Sequence, residues 1–457
     1  DQCVTGQPQN QTKTKLKQCD CKCGSPYVEK TDPPFDQVST GGVKGCVPSC
    51  YAANFSSDPT RTFAQFWLGF WAMLCAVSTL ATLATFAIDS QRFLYPQRPI
   101  VYLAACYLLV SIGYLVSVGL GHEKVACENS QTLRVRTTGP AHCSIIFLLT
   151  YLFGMSGAVW WVVLTFTWFL SAGLKWGSEA IAKYSQSYHF VAWFFPGVQS
   201  LFVLTMSAVD GDPVGGLCYV GSSSLQNLKL FVIAPSVVYL ILGTFFLLAG
   251  FMSMVRIRSA MKMQDSMAPG KTSKFEKLMA RIGVFSVLYS VPVAIVIACN
   301  IYDLNHRLEW EKSITCDCSE RKKKSANGAF EMEYAVFMLK YFMSLAVGTT
   351  TGFWILSAKT VRSWSNCLTG RKAQVQNSPQ FPFQHVPLAY PNRTVVGNLS
   401  PALVTQGQNW YPGQQTVDAR VLDAGRAQLS TVSSGMSNQM PCSQSSSGNK
   451  YSTLSNV

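Results

Sequence analysis

Charged side chains are scarce in this chain. Only 13% of its 457 residues are Asp, Glu, Lys or Arg, and 48% are hydrophobic, a balance that is unusual for a soluble protein. The apolar residues are concentrated before about Ser357, and the remainder is rich in Ser, Gln, Asn, Pro and Gly. This distribution predicts a membrane-embedded part, followed by a tail that cannot bury enough apolar surface to fold.

Catalytic motifs are missing as well. The sequence has no nucleophile arrangement, no metal-ligand cluster and no phosphate-binding loop, so it predicts no enzyme, no metal site and no cofactor. The close cysteine pairs at 21 and 23 and at 316 and 318 lack a nearby histidine that would complete a zinc site. The apolar stretches are nearly free of ionisable residues, which disfavours a transporter or channel.

Seven apolar stretches are long enough to cross a bilayer, because a spanning helix needs about 20 such residues. They are Phe63 to Ile88, Pro99 to Gly121, Cys143 to Leu174, His189 to Val209, Asn227 to Met254, Arg281 to Ile301, and Tyr334 to Ser357. Backbone groups in lipid must satisfy each other, so each stretch is predicted to be helical. The chain is therefore expected to be an all-α membrane protein with a seven-transmembrane helix bundle.

Basic residues predict the orientation of this bundle. Clusters occur between the fifth and sixth stretches and after the seventh: Arg256, Arg258, Lys262, Lys271, Lys274, Lys277 and Arg281, then Lys359, Arg362, Arg371 and Lys372. Cytoplasmic loops carry an excess of Lys and Arg, so the N-terminus is expected outside and the C-terminus in the cytoplasm. Beside a membrane, such clusters favour anionic membrane lipids over nucleic acid as partners.

Cysteine usage agrees with this orientation. Twelve of the 16 cysteines fall on the expected outer side: Cys3, Cys19, Cys21, Cys23, Cys46, Cys50, Cys127, Cys143, Cys218, Cys299, Cys316 and Cys318. In an oxidising compartment, such a set predicts disulfides. Asn10 and Asn54 begin glycosylation motifs on the same side. Because the chain starts with Asp1 and no signal peptide, we expect it to begin inside a longer precursor.

Several short segments, in the expected order, resemble the Frizzled family. They are residues 92–100 (RFLYPQRPI), 175–181 (KWGSEAI), 209–213 (VDGDP), 218–221 (CYVG), 277–283 (KLMARIG) and 338–343 (MLKYFM). The resemblance implies a plasma-membrane receptor that passes a Wnt signal to a cytoplasmic partner. In the family, Wnt binds a cysteine-rich domain ahead of the linker, and we expect this chain to lack it. The alternatives are a Smoothened-like receptor or a non-signalling decoy.

The segment after the seventh stretch resembles the Lys-Thr-x-x-x-Trp element with which Frizzled receptors engage Dishevelled. Its residues here are Lys359, Thr360 and Trp364. Lysine attracts anionic headgroups and tryptophan prefers the membrane boundary, so a short amphipathic helix on the membrane surface is expected. The alternative is a helix end that only anchors the bundle.

The resemblance also implies an activation switch and three disulfides. The switch would pair Arg281 with Trp354, a cation–π contact worth about 0.5–2 kcal/mol; the alternative is an arginine that reaches the headgroups and a tryptophan of the membrane boundary. The implied disulfides are Cys143 with Cys218, Cys50 with Cys127, and Cys299 with Cys316. The pairing of the other linker cysteines stays open.

The last residues resemble the end of the five-and-eight Frizzled subgroup. Ser455 and Val457 provide a hydroxyl two residues before a free aliphatic C-terminus, which suits PDZ-domain proteins, although this pattern also arises by chance in Ser-rich tails. A heterotrimeric G protein is a further partner that the family admits. The expected organisation is an extracellular linker (1–62), the seven-helix domain (63–358), the juxtamembrane helix (359–370) and a disordered cytoplasmic tail (371–457).

Overall fold

Helices dominate the part of the chain that the structure describes. The computed structural model describes residues 20–32, 35, 38–51, 58–129, 131–264, 272–317, 333–354, 360 and 363–365. Its α-helices are α1 (Asp58–Ile88), α2 (Pro99–Leu120), α3 (His122–Ala126), α4 (Ala141–Phe147), α5 (Phe153–Ala172), α6 (Ser178–Ala182), α7 (Ser185–Thr205), α8 (Leu225–Asn227), α9 (Ala234–Gln264), α10 (Thr272–Thr315) and α11 (Tyr334–Thr350). Two π-helical turns, Leu148–Leu152 and Leu228–Ile233, join α4 to α5 and α8 to α9, and 3-10 turns occupy Ser90–Arg92 and Thr351–Trp354.

The predicted seven-transmembrane bundle is confirmed. Its members are α1, α2, the α4–α5 unit, α7, the α8–α9 unit, α10 and α11, and each packs against neighbours in the bundle. Among the described helices, five are long and apolar enough to span a bilayer by these criteria alone. The other two, α7 and α11, are more polar or shorter than these five, and they complete the bundle through packing.

The sixth span is much longer than the sequence predicted. Instead of ending at Ile301, α10 continues to Thr315 and has 44 residues. At about 1.5 Å per residue it extends for about 66 Å, roughly twice the thickness of the hydrocarbon core. Hydropathy marks only the part of a helix that lies in lipid, so it could not show this extension.

The centre of the bundle is α5, whose three tryptophans, Trp160, Trp161 and Trp168, are almost completely buried. The apolar residues of α5 lie on all faces of the helix, which is typical of a helix enclosed by others. Two glycines of α9 leave room for the indoles. A Cβ at Gly243 would lie 2.1 Å from the Trp161 ring, and one at Gly250 would lie 2.2 Å from the Trp168 ring.

Short antiparallel strand pairs gather at one end of the bundle, which we call the disulfide end. They are β1 (Asp20–Cys21) with β10 (Cys316–Asp317), β2 (Tyr27–Glu29) with β5 (Cys46–Pro48), β3 (Ser39–Thr40) with β4 (Val43–Lys44), β6 (Cys127–Glu128) with β7 (Thr132–Leu133), and β8 (Val209–Gly211) with β9 (Cys218–Val220). The register sets Cys21 opposite Cys316. The opposite end, where α1 ends and α2 begins, is called the basic end.

Four disulfides connect the described residues at the disulfide end. Two are the pairs that the family resemblance implied, Cys50–Cys127 and Cys143–Cys218. The other two are Cys21–Cys316 and Cys23–Cys46. The Cys23–Cys46 bond lies within the linker, and the other three attach the linker or the β8–β9 hairpin to helix ends.

The expected bond between Cys299 and Cys316 is wrong. Cys316 bonds Cys21, whereas Cys299 is a buried free thiol inside α10. Because α10 is unbroken as far as Thr315, the two cysteines are separated by about 25 Å of helix. A disulfide requires Cα atoms within about 7 Å, so the length of α10 excludes this bond.

Candidate functional site

The indole of Trp364 binds the inner face of α1 at the basic end. Its Nε1 donates a hydrogen bond to Thr85 Oγ1 over 3.0 Å. The Thr85 hydroxyl is buried and itself donates to the Ala81 carbonyl. Trp364 is half-buried, so part of its ring stays accessible beside α1.

Neighbouring residues of the same segment also contact the bundle. Thr360 is almost completely buried, and the Ser363 hydroxyl donates to Asp89 Oδ2 over 3.5 Å. Lys359, which was predicted to act with Thr360 and Trp364, lies outside the described residues, as do Ser455, Val457, Asn10 and Asn54. The sequence predicted a role for the tryptophan but not its contact with α1, since Thr85 resembles any polar residue of a long apolar helix.

At the proposed switch, the structure describes one of the two side chains. Arg281 is half-buried near the start of α10, and the side chain of Trp354 lies outside the description. A contact that the sequence did not predict lies close by. The buried Trp168 donates its indole N–H to the Met279 carbonyl over 3.1 Å, which ties α5 to α10 two residues before Arg281.

At the disulfide end, His122 joins the linker to the bundle. Its Nε2 lies 2.9 Å from the Cys50 carbonyl oxygen, and its ring stacks on Tyr51 with 4.5 Å between centroids. Burial lowers the pKa of His122. Cys50, His122 and Cys127 are close enough to hold a metal ion, but the two sulfurs form a disulfide and offer no thiolate.

A cavity of about 270 Å³ opens into the bundle from the disulfide end. Its walls come from α2, α5, α10, α11, the β8–β9 hairpin and the linker, and Tyr107 and Tyr289 lie at its inner end. The hydroxyls of these two tyrosines are 3.4 Å apart. The mouth is held by Arg307 of α10, which pairs with Asp303 and donates to the Ser222 carbonyl over 3.0 Å.

Comparison with known proteins agrees with the family resemblance of the sequence. A family model, the Frizzled/Smoothened family membrane region, matches residues 55–371. The chain is 53% identical to Frizzled-5 of Xenopus laevis over 364 residues, which cover 79% of the chain and 63% of that protein. It is 51% identical to Frizzled-5 of Homo sapiens over 348 residues (75% and 58%), and 47% identical to human Frizzled-8 over 392 residues (76% and 56%). The chain therefore spans less than two thirds of the length of these relatives.

Proposed function

The chain belongs to the Frizzled/Smoothened family of multi-pass membrane proteins, and on that premise we propose that it is the transducing part of a Wnt receptor. In this proposal it lies in the plasma membrane with its N-terminus outside. The disulfide end then faces the oxidising exterior, where disulfides persist, and the basic end faces the cytoplasm. Dishevelled is recruited at the basic end, by the segment that contains Thr360 and Trp364.

The observation that supports this proposal is the hydrogen bond between Trp364 and Thr85. It holds the segment against α1 while Trp364 stays half-buried and the neighbouring Ser365 stays exposed. A tryptophan at a membrane boundary presents an apolar ring and a polar edge together. A protein partner that approaches from the cytoplasm therefore meets a fixed aromatic edge instead of a freely moving tail.

Lys359 and the tail complete the proposed cytoplasmic surface. The ammonium of Lys359 would attract anionic lipid and hold the segment near the bilayer. Ser455 and Val457 would bind PDZ-domain proteins by strand addition, independently of Trp364. A heterotrimeric G protein would approach the same end of the bundle.

Arg281 is proposed to regulate this surface by pairing with Trp354. An arginine over an indole contributes about 0.5–2 kcal/mol, which shifts a two-state equilibrium without fixing it. The nearby bond from Trp168 to the Met279 carbonyl gives α10 a second attachment in this region. Movement of α10 would therefore change both contacts.

Imaging of tagged Dishevelled in cells that express the chain tests the proposal. We expect the wild-type chain to draw Dishevelled to the plasma membrane and Trp364→Ala to abolish this recruitment. Thr85→Val, which removes the acceptor and keeps the shape, should reduce recruitment by a few-fold, because one such bond is worth about 0.5–1.5 kcal/mol. Arg281→Ala, scored in the same cells, should change basal signalling.

Thr82→Val is the matched control for Thr85→Val. Thr82 is also buried in α1 and its hydroxyl likewise donates to its own helix, at Ser78, whereas the acceptor of the Trp364 indole is Thr85. We expect it to leave recruitment unchanged, and surface labelling must show equal amounts of every variant. If Trp364→Ala recruits Dishevelled normally, the assignment of this segment is wrong. If the wild-type chain reaches the surface and recruits nothing, a Smoothened-like or decoy role is favoured instead.

A further inference from the structure

An aromatic cluster joins α2, α5 and α7 at the basic end. The Tyr102 ring stacks on the buried Trp160 ring with 4.4 Å between centroids. The His189 ring meets both rings edge-on, at 4.5 and 4.9 Å. The loop before α2 adds Tyr95, whose ring lies 5.9 Å from that of Tyr188, the residue that precedes His189. Three helices and one loop therefore meet in this cluster.

Several hydrogen-bond donors of the cluster lack an acceptor. Tyr95 is only 6% exposed, and its hydroxyl is buried without a partner among the described residues. The Tyr102 hydroxyl and the ring nitrogens of His189 have no hydrogen bond within that part of the chain either. A buried hydroxyl without a partner costs about 1–3 kcal/mol. Such a group therefore calls for an acceptor from outside the chain.

Arg98 brings a positive charge to the same place. It directly precedes Pro99, the first residue of α2, and its side chain is exposed. Within the described part of the chain it has no ion pair. Its charge acts on both Tyr95 and His189. Because α2 and α7 both begin at the basic end, the positive ends of their dipoles add to this charge.

The charge balance around the cluster favours an anion. The described charged side chains at the basic end are Arg98, Lys175, Lys183, Arg256 and Arg281, against Asp89 and Glu179. Neither carboxylate is among the groups that act on Tyr95 or His189. Asp89 accepts the Ser363 hydroxyl instead. The positive charge of Arg98 at the cluster is therefore not balanced by a described carboxylate.

The outer face of α7 beside the cluster suits acyl chains. Phe190, which follows His189, is 60% exposed, and its ring stacks on that of Phe194 with 4.8 Å between centroids. Trp193 is 39% exposed and also contacts Trp160, at 6.4 Å. Exposed aromatic residues near the end of a spanning helix lie against lipid at the membrane boundary. A lipid at this place would therefore reach both the aromatic face and the donors.

We propose that this cluster binds an anionic phospholipid of the adjacent leaflet through a phosphomonoester headgroup. The Arg98 guanidinium would bind two phosphate oxygens, because its planar fork matches phosphate geometry. The Tyr95 and Tyr102 hydroxyls would donate to the phosphate, and the acyl chains would lie along Phe190 and Phe194. A phosphomonoester offers three strong acceptor oxygens, whereas the diester of phosphatidylcholine offers fewer and carries its own cation.

The test is a titration of the full chain, purified in detergent and followed by native mass spectrometry. The probe is dioleoylphosphatidic acid, with dioleoylphosphatidylcholine as its zwitterionic counterpart and glycerol 3-phosphate as the headgroup without chains. We expect phosphatidic acid to bind the wild-type chain more tightly than either of the others. Arg98→Gln should weaken its binding at least about tenfold, as the loss of a charged hydrogen bond predicts. Tyr95→Phe, which removes only the hydroxyl, should weaken it by a few-fold.

Arg256→Gln is the matched control, because Arg256 is also an exposed arginine at the basic end without an ion pair among the described residues. We expect it to bind phosphatidic acid like the wild type. If Arg98→Gln loses no more affinity than Arg256→Gln, the site is not at Arg98. Equal affinity for phosphatidylcholine would show that only the chains are recognised, and equal affinity for glycerol 3-phosphate would make the ligand a soluble phosphate instead of a lipid.

Tyr95→Phe keeps the proposal testable if Arg98→Gln does not fold. It removes a hydroxyl that has no partner among the described residues, so its melting temperature without lipid should not fall below that of the wild type. Unchanged binding of phosphatidic acid by a folded Tyr95→Phe would contradict the donor role of this hydroxyl and, with it, the placement of the headgroup in the cluster.

Discussion

Single residues at the disulfide end determine how firmly the linker is held. His122 contacts the Cys50 carbonyl and the Tyr51 ring, and Gly216 lies against its other side. Gly216 has φ +68°, and a Cβ there would lie 2.8 Å from the imidazole Nδ1. Only glycine combines this conformation with this proximity, so the position of His122 depends on a residue almost 100 positions later in the chain.

The protonation of His122 should make this contact sensitive to pH. Burial lowers the pKa of His122. The hydrogen bond with the Cys50 carbonyl, Asp212 and Glu123 oppose this effect, and Arg61 reinforces it. At a pH between the two pKa values, the unfolded chain binds more protons at this residue than the folded chain does. The contribution of His122 to the free energy of unfolding is therefore fully present above the usual pKa of about 6.5, and it is lost as the pH falls through the lowered value. We expect the melting temperature to fall between pH 7.5 and 5.5, and His122→Gln, which keeps a donor that does not titrate, to flatten this dependence.

His142→Gln is the control for this prediction. His142 also binds a carbonyl, that of Lys124, through an exposed hydrogen bond, so His142→Gln makes the same substitution at a histidine that does not join the linker to the bundle. Burial raises the pKa of Asp210, which gives a slope of opposite sign, but Asp210 is common to all of these variants. If His122→Gln and the wild-type chain lose stability in parallel on acidification, burial of His122 is not the cause.

At the scale of elements, the long extension of α10 connects the linker to the bundle. Cys21 bonds Cys316, the Lys22 N–H donates to the Thr315 carbonyl over 2.9 Å, and Gly41 binds Glu311. Arg307 attaches the same part of α10 to the β8–β9 hairpin. The end of α10 is thus fixed from two sides.

Removal of the covalent attachment should destabilise this end. We expect the double variant Cys21→Ser/Cys316→Ser to lose about 2–5 kcal/mol of stability, the usual cost of a native disulfide. Hydrogen exchange should also become faster over residues 303–315. Cys299→Ser, which removes a free thiol, should change neither quantity by a comparable amount. A loss in Cys299→Ser as large as that in the double variant, with Cys21→Ser alone unaffected, would restore the bond between Cys299 and Cys316 that the sequence suggested.

The sequence predicted the elements better than their contacts. Seven apolar stretches were enough for the bundle, because lipid allows only helices there. The extension of α10 was missed because residues 302–315 are polar and hydropathy does not detect a helix outside lipid. Trp364 was identified through a family resemblance, but its partner Thr85 lies 279 positions earlier in the chain, and no local pattern connects the two.

At the scale of the whole molecule, the distribution of charge and cysteine predicts one orientation. The described disulfides all lie at one end, and the basic loops follow helices that end at the other. Disulfides persist outside the cytosol, and Lys and Arg are retained on the cytoplasmic side. These two rules are independent, and both predict that the disulfide end and the N-terminus lie outside.

Glycosylation tests this orientation directly, because the chain has acceptor motifs on both sides of the bundle. Asn10 and Asn54 precede α1, whereas Asn392 and Asn398 follow α11. Only motifs on the outer side are modified. We therefore expect the double variant Asn10→Gln/Asn54→Gln to run faster on a gel and to lose its sensitivity to a glycosidase, while Asn392→Gln/Asn398→Gln runs like the wild type. The reverse pattern would invert the bundle and place Trp364 outside, where it could not meet Dishevelled.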